Sequence, residues 1–191
     1  LLSRGLGDVY KRQQYESMAG ITRLEPSHRK DYLRSGINLI QANINNIQIN
    51  EAKEVIPMID IQYTIETEQY GNKTGNRLFI PANIFRKGFT TPDLKQRVQD
   101  IHINYGYLDT DSICLQIPEG YTIESLPKTC QVTSSFGSFS SSLMIKDKEI
   151  CIIHRLLMHR GIYPKEIYKD FLEFRKQIAA QYSSKIILKK E

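Results

Sequence analysis

A mainly β fold, an antiparallel β-sandwich with a C-terminal amphipathic helix packed on it, is what this sequence predicts. Several short segments alternate apolar and polar residues, and they recur at intervals of roughly 8–12 residues with polar turns between them. The chain is also rich in Ile and Tyr, with eleven Tyr and no Trp. β-Branched and aromatic side chains pack well on a pleated, half-buried surface. At 191 residues, 40% hydrophobic and 25% charged, the composition is that of an ordinary globular chain able to bury a sizeable core.

Residues 1–13 hold two glycines and four charges among scattered apolar side chains, with neither a helical nor a strand period. They resemble a translated sequencing-adapter artefact that recurs at the ends of proteins from metagenomic assemblies, and are set apart as non-native. With no initiating Met, the expectation is a fragment of a longer reading frame. Residues 14–36 are polar, with a breaker at Pro26 and a helix-start signal at Ser27. They are expected to be a helical remnant or linker from an upstream region, with a short helix near 27–35 ended by Gly36. Residues 37–191 form the β-sandwich domain, of jelly-roll or immunoglobulin-like type.

Within that domain, Ile40, Ala42 and Ile44 have period two, and the pattern resumes out of phase at Ile47 and Ile49. A bulge or tight turn at Asn45-Asn46 accounts for the slip. Ile59, Ile61, Tyr63 and Ile65 alternate with Asp60, Gln62, Thr64 and Glu66, which predicts one buried and one wet face. Tyr70 to Asn76 reads as a turn, Arg77 to Ile80 as a strand stopped by Pro81, and residues 82–97 as irregular. Ile101, Ile103 and Tyr105 alternate again. A polar turn at Leu108-Asp109-Thr110-Asp111 then precedes a strand from Ser112 to Ile117, closed by Pro118-Glu119-Gly120. Thr129–Thr133 and Phe139–Ile145 are further strands joined around Phe136-Gly137. Lys146-Asp147-Lys148 turns into Glu149–Met158, which is apolar on both faces and therefore central.

Pro164 suits the first turn of a helix running to residue 182, with Ile167, Phe171, Phe174 and Ile178 along one face. Lys185 to Lys190 alternates briefly and is expected to be an edge strand protected by its lysines.

The charge excludes some function classes. Of the formal +5, Arg4, Lys11 and Arg12 against Asp8 account for +2. Elsewhere cations and anions interleave, so no basic face of the kind that phosphate binding needs emerges, and no nucleic-acid partner is expected. No window approaches the roughly 18 apolar residues of a membrane span.

Nucleophilic catalysis needs a Cys or Ser beside a His oriented by a third polar group. The ingredients are Cys114 or Cys151, His102, His154 or His159, and Asp109 or Asp111. Both cysteines lie inside strand patterns, away from the helix N-termini that activate thiols. With Cys130 they read as small buried hydrophobes, or as one disulfide plus a spare thiol. His154 and His159 fall on opposite strand faces, and His28 and His102 are distant, so no metal site is expected. Asp109 and Asp111 lack the further ligands of a calcium loop and read as turn formers. Asn72-Lys73-Thr74 matches a three-residue glycosylation pattern, and Gly71 and Gly75 frame a turn without the context of a phosphate cradle. No catalytic, cofactor-binding or metal residue is therefore assigned, and no cofactor is expected.

The stretch from Asp109 to Pro127, with Ile117-Pro118-Glu119-Gly120-Tyr121 and Leu126-Pro127, continues to Phe136-Gly137-Ser138-Phe139-Ser140. Together with Gly161 to Phe171 and Lys185 to Lys190, it resembles the C-terminal domain (DUF3858) of DUF3857-containing transglutaminase-like proteins of Bacteroidota. Asn72 to Phe79 fits the same architecture, and the resemblance covers most of residues 30–191. It implies an upstream papain-like core that supplies a Cys-His-Asp triad. This chain has no Gly-x-Cys-Trp-like context and no Trp, so no catalytic residue carries over.

The resemblance thus implies a non-catalytic accessory domain, partnered by that core, in the periplasm or at the cell surface. Two other readings compete with it. One is a carbohydrate- or protein-binding module, marked by an exposed cluster of Tyr63, Tyr70, Tyr105, Tyr107 and Tyr121; the other is a small Cys-dependent enzyme.

Overall fold

The computed structural model describes residues 2–4, 19–39, 41–53, 58–67, 70–85 and 97–191. Expectations for residues 5–13, Ile40 and 86–96 lie outside them. The described chain is mainly β and every strand pairing is antiparallel.

The strands are β1 (Leu2–Arg4), β2 (Asn43–Ala52), β3 (Met58–Glu66), β4 (Asn72–Thr74), β5 (Arg77–Pro81), β6 (Ile101–Ile103) and β7 (Tyr107–Gln116). They continue with β8 (Tyr121–Ser125), β9 (Cys130–Ser134), β10 (Gly137–Lys146), β11 (Glu149–Met158), β12 (Gly161–Tyr163) and β13 (Lys185–Lys190). One sheet has the order β2-β3-β1-β7-β11-β10-β9, a second β4-β5-β13-β8, and β12 pairs with β6.

Alternation decides which face of the large sheet is covered. Ile59, Ile61 and Tyr63 of β3, Ile113 of β7 and Ile150, Ile152, Leu156 and Met158 of β11 are all buried, and the β7–β11 register puts Ile113 opposite Ile152 on one face. Three different covers lie along that face. At one end Ile21, from a short 3-10 turn at Gly20–Arg23, and Leu33, from the helix Pro26–Ser35, pack on Ile59 and Ile61. In the middle Ile80, Ile186 and Leu188 of the small sheet pack on Ile150 and Ile152, which makes the sandwich. At the other end the helix Tyr168–Tyr182 packs on Phe139, Leu156 and Met158.

Several expectations hold in detail. The helix Pro26–Ser35 takes Pro26 in its first turn, where the missing N–H costs nothing, and ends at Gly36. The phase slip in β2 is a register shift between Asn45 and Gln48, with Asn46 at φ 53. Asp147, also at φ 53, turns β10 into β11, and β11 is central, paired with β7 and β10.

Others need correction. Residues 1–13 show no strand period, yet Leu2–Arg4 forms β1, whose backbone bridges β3 and β7, because three residues are too few for alternation to show. Asn72–Thr74 is not a turn but β4, one arm of a hairpin around Gly75, whose φ of 59 suits glycine. Leu108 to Asp111 is not a turn either: β7 is continuous, because its whole length pairs with β11.

β8 is a strand that periodicity did not predict. β13 is not an edge strand but lies between β5 and β8, since its apolar Ile186 and Leu188 fill the sandwich while Lys185, Lys189 and Lys190 stay exposed. Arg77 reaches across the outer face of β13 to hold both Glu124 oxygens at 2.6 and 2.7 Å. The last helix is preceded by a 3-10 turn at Lys165–Ile167. Its buried face is Tyr168, Leu172, Phe174, Ile178 and Tyr182, so Ile167 and Phe171 are marginal rather than central.

Phe136 explains how the last helix is docked. It sits fully buried in the β9–β10 turn, with ring centroids 4.7 Å from Tyr163 and 5.0 Å from Phe171. Gly137 follows with φ 151, and a Cβ there would run into the Leu157 carbonyl. Gly137→Ala is therefore expected to destabilise the chain by about 1–3 kcal/mol, read as a lower urea midpoint at unchanged slope.

Candidate functional site

The polar side chains that the large sheet buries form a row. Ser141 of β10 is the register partner of His154 of β11, and His154 is the partner of Asp111 of β7. Their exposures are 5%, 1% and 1%. Register partners point to the same face, so hydroxyl, imidazole and carboxylate lie side by side on adjacent strands. Cys130 of the edge strand β9 extends the row as the partner of Ser141.

Tyr182, from the last turn of the C-terminal helix, closes over it. Its hydroxyl stands 3.5 Å from Asp111 Oδ2 and its ring centroid is 4.8 Å from that of His154; Phe139 stacks on the imidazole at 5.8 Å and also meets Tyr182 at 5.7 Å, so the three rings form one triangular cluster. The row occupies the seam between two apolar clusters, Ile150 and Ile152 under the small sheet and Leu156 and Met158 under the helix.

Of the expected ingredients, the structure brings His154 and Asp111 together and leaves the cysteines apart from them. Cys114 and Cys151 are odd-numbered steps from Asp111 and His154, so they point to the opposite, outer face. There they are direct cross-strand partners joined as a disulfide, with Cα atoms 4.0 Å apart. They are half-buried, which corrects the reading as buried hydrophobes: the outer face has no covering layer among the described residues that would seal them in a core.

Cys130 is a free, half-buried thiol. Burial pushes its pKa up, partly offset by a hydrogen bond with the Ser141 backbone, the opposite of thiolate activation. His28 and His102 are exposed, and His159, also exposed, has Nδ1 3.3 Å from the Ser135 carbonyl.

Asp109 and Asp111 lie in strand β7 rather than in a turn. Ser141 and Tyr182 were invisible as site residues because register and helix docking, not local spacing, bring them to His154. Glu149 was likewise unmarked. Its carboxylate lies 3.7 Å from Cys151 Sγ on the outer face, and Cys114, Glu149 and Cys151 place three potential ligand atoms within 4.8 Å of one another. Of the five tyrosines of the binding-face reading, Tyr63 is buried and Tyr70, Tyr107 and Tyr121 are half-buried, with burial also raising the Tyr70 pKa. Tyr105 alone of the five is exposed, so they form no exposed cluster. Asn72-Lys73-Thr74 is exposed on edge strand β4.

These features define a class: a β-sandwich domain with one sheet face closed by a second sheet and a C-terminal helix over a buried polar row. Residues 76–188 match the family described as Domain of Unknown Function with solved-structure structure (DUF3858), more than half of the chain, and the chain belongs to that family. The matched segment contains β5 to β13 in large part, with the polar row and the disulfide. No curated protein and no solved structure matches the chain. No helix among the described residues is long and apolar enough to cross a membrane.

Asp111→Ala, which strips the carboxylate from a buried polar layer, is expected to cost about 1–3 kcal/mol in urea unfolding, and Tyr182→Phe less than about 1 kcal/mol, because the 3.5 Å contact is long. Reduction of the Cys114–Cys151 bond, whose cysteines are 37 residues apart, should lower unfolding stability by roughly 2–4 kcal/mol. Denaturation with and without a phosphine reductant measures it.

Proposed function

We propose that the chain is a non-catalytic accessory domain of a transglutaminase-like protein, packing on an upstream core and shaping access to it, in the periplasm or at the cell surface. The observation that carries this reading is where the chemistry-bearing side chains lie. Ser141, His154 and Asp111 have the order of a nucleophile, base and orienter, yet all are at or below 5% exposure, beneath Tyr182. A substrate carbonyl has no approach to a hydroxyl sealed between two sheets and a helix. The row therefore acts in packing.

The family match over 76–188 and the motif resemblance from Asp109 to Phe171 support the placement beside a transglutaminase-like core. The disulfide supports a compartment outside the cytoplasm, where such bonds persist.

The chain alone is expected to turn over neither a glutamine-peptide and amine pair nor peptide bonds. A transglutaminase-like core supplied in trans should co-elute with it in size-exclusion chromatography. Turnover that is lost in His154→Ala with the fold intact by circular dichroism would overturn the reading.

The thiol gives a second check. Because the Cys130 pKa is raised, less of it is thiolate at pH 8 than in an exposed cysteine. Alkylation of native protein should run slower than in a cysteine peptide, and the gap should narrow as pH rises through the raised pKa. Faster labelling than the peptide at pH 7 would favour a Cys-dependent enzyme.

A further inference from the structure

The outer face of the large sheet carries a group of side chains that the accessory role does not use. Cys114 on β7 and Cys151 on β11 are register partners. Glu149 stands two residues before Cys151 on the same face, and the two sulfurs and a carboxylate oxygen lie within 4.8 Å of one another. Glu149 is exposed and both cysteines are half-buried. Cys114 also lines an open groove of about 340 Å³ together with Glu66, Tyr70 and Gln116, so the sulfur pair is reached from solvent.

As a disulfide the pair binds nothing. As a dithiol it has different chemistry, because two thiolates and one carboxylate are a donor set that suits zinc-class ions, with bonds of about 2.3 Å to sulfur and about 2.0–2.2 Å to oxygen. Tetrahedral geometry then needs the sulfurs roughly 3.8 Å apart. Direct cross-strand neighbours reach that spacing once the S–S bond is open, without movement of either strand.

We propose that Cys114, Cys151 and Glu149, in the dithiol state, form a binding site for one thiophilic divalent cation of the zinc class, with the fourth coordination position open to water. A chain leaves synthesis with both thiols reduced, so this state precedes the disulfide. Metal binding releases the two thiol protons and forms two metal–sulfur bonds. Forming the disulfide instead removes two electrons and two protons, which pass to a disulfide oxidant that is itself reduced to a dithiol. Return to the metal-ready state takes the same two electrons and protons from a dithiol donor. Metal and disulfide are therefore mutually exclusive occupants of one place on the sheet, and the ion protects the thiols from oxidation.

The test uses the full chain, reduced under anaerobic conditions, titrated with Zn²⁺ against a chromophoric chelator and with Co²⁺ as a spectroscopic probe. One equivalent of each should bind, Co²⁺ with the near-ultraviolet absorption of thiolate ligation, and the disulfide form should bind neither. Cys151→Ser should abolish the thiolate band of a two-sulfur site and weaken Zn²⁺ at least tenfold, Glu149→Gln should weaken Zn²⁺ about tenfold while keeping the band, and one equivalent of Zn²⁺ should slow reoxidation by oxidised glutathione at least tenfold.

No saturable binding by the reduced chain overturns the proposal, as does equal binding by the disulfide form or by a Cys114→Ser/Cys151→Ser double variant. Glu149→Gln affinity within twofold of the parent overturns the three-ligand site. If reduction alone unfolds the chain, recovery of the β circular-dichroism signal at one equivalent of Zn²⁺ supports the site, and failure to recover it overturns it.

Discussion

The pairing of β11 along both of its edges is the constraint on which the rest of the structure depends. All ten residues of Glu149–Met158 have partners in β10 on one side and in β7 on the other. The two strands that flank β11 come from a hairpin and from a long connection, so β11 locks a local pairing to a distant one. Its buried residues Ile150, Ile152, Leu156 and Met158 each contribute on the order of 1.5–3 kcal/mol by leaving water. They do so against two different covers, the small sheet for the first two and the C-terminal helix for the others.

The same register explains why a polar row is tolerated in that core. Burying an imidazole and a carboxylate is unfavourable unless they are satisfied, and His154 lies where the two covers meet, in a ring cluster with Phe139 and Tyr182 and beside Asp111. A slip of one residue would carry His154 and Ile152 to the outer face and turn the exposed Arg155 inward. The row thus discriminates against shifted pairings, while the disulfide between Cys114 and Cys151 fixes the same register from the other face. Register is thus held from both faces of one strand.

The segment that matches the DUF3858 family contains the row, whose hydroxyl, imidazole and carboxylate are buried on one face of the large sheet. The outer face has a different character. It carries half-buried sulfur and an exposed carboxylate in place of a sealed core.

Much of the architecture was legible in the sequence by itself. Alternation in Ile59–Ile65 and Glu149–Met158, the phase slip at Asn45-Asn46, the Asp147 turn and the Gly36 stop each follow from local rules of period and backbone freedom, and they determined a β-rich sandwich with a terminal helix. Tertiary structure alone decided what depends on pairing between distant segments. Asp109 and Asp111 look like turn residues until β11 extends β7 through them. Lys185–Lys190 looks like an edge until β5 and β8, far away in the chain, claim both of its sides. The candidate site belongs to the second kind: Ser141, His154, Asp111 and Tyr182 come from four separate elements, and no spacing along the chain records strand register or the docking of a helix.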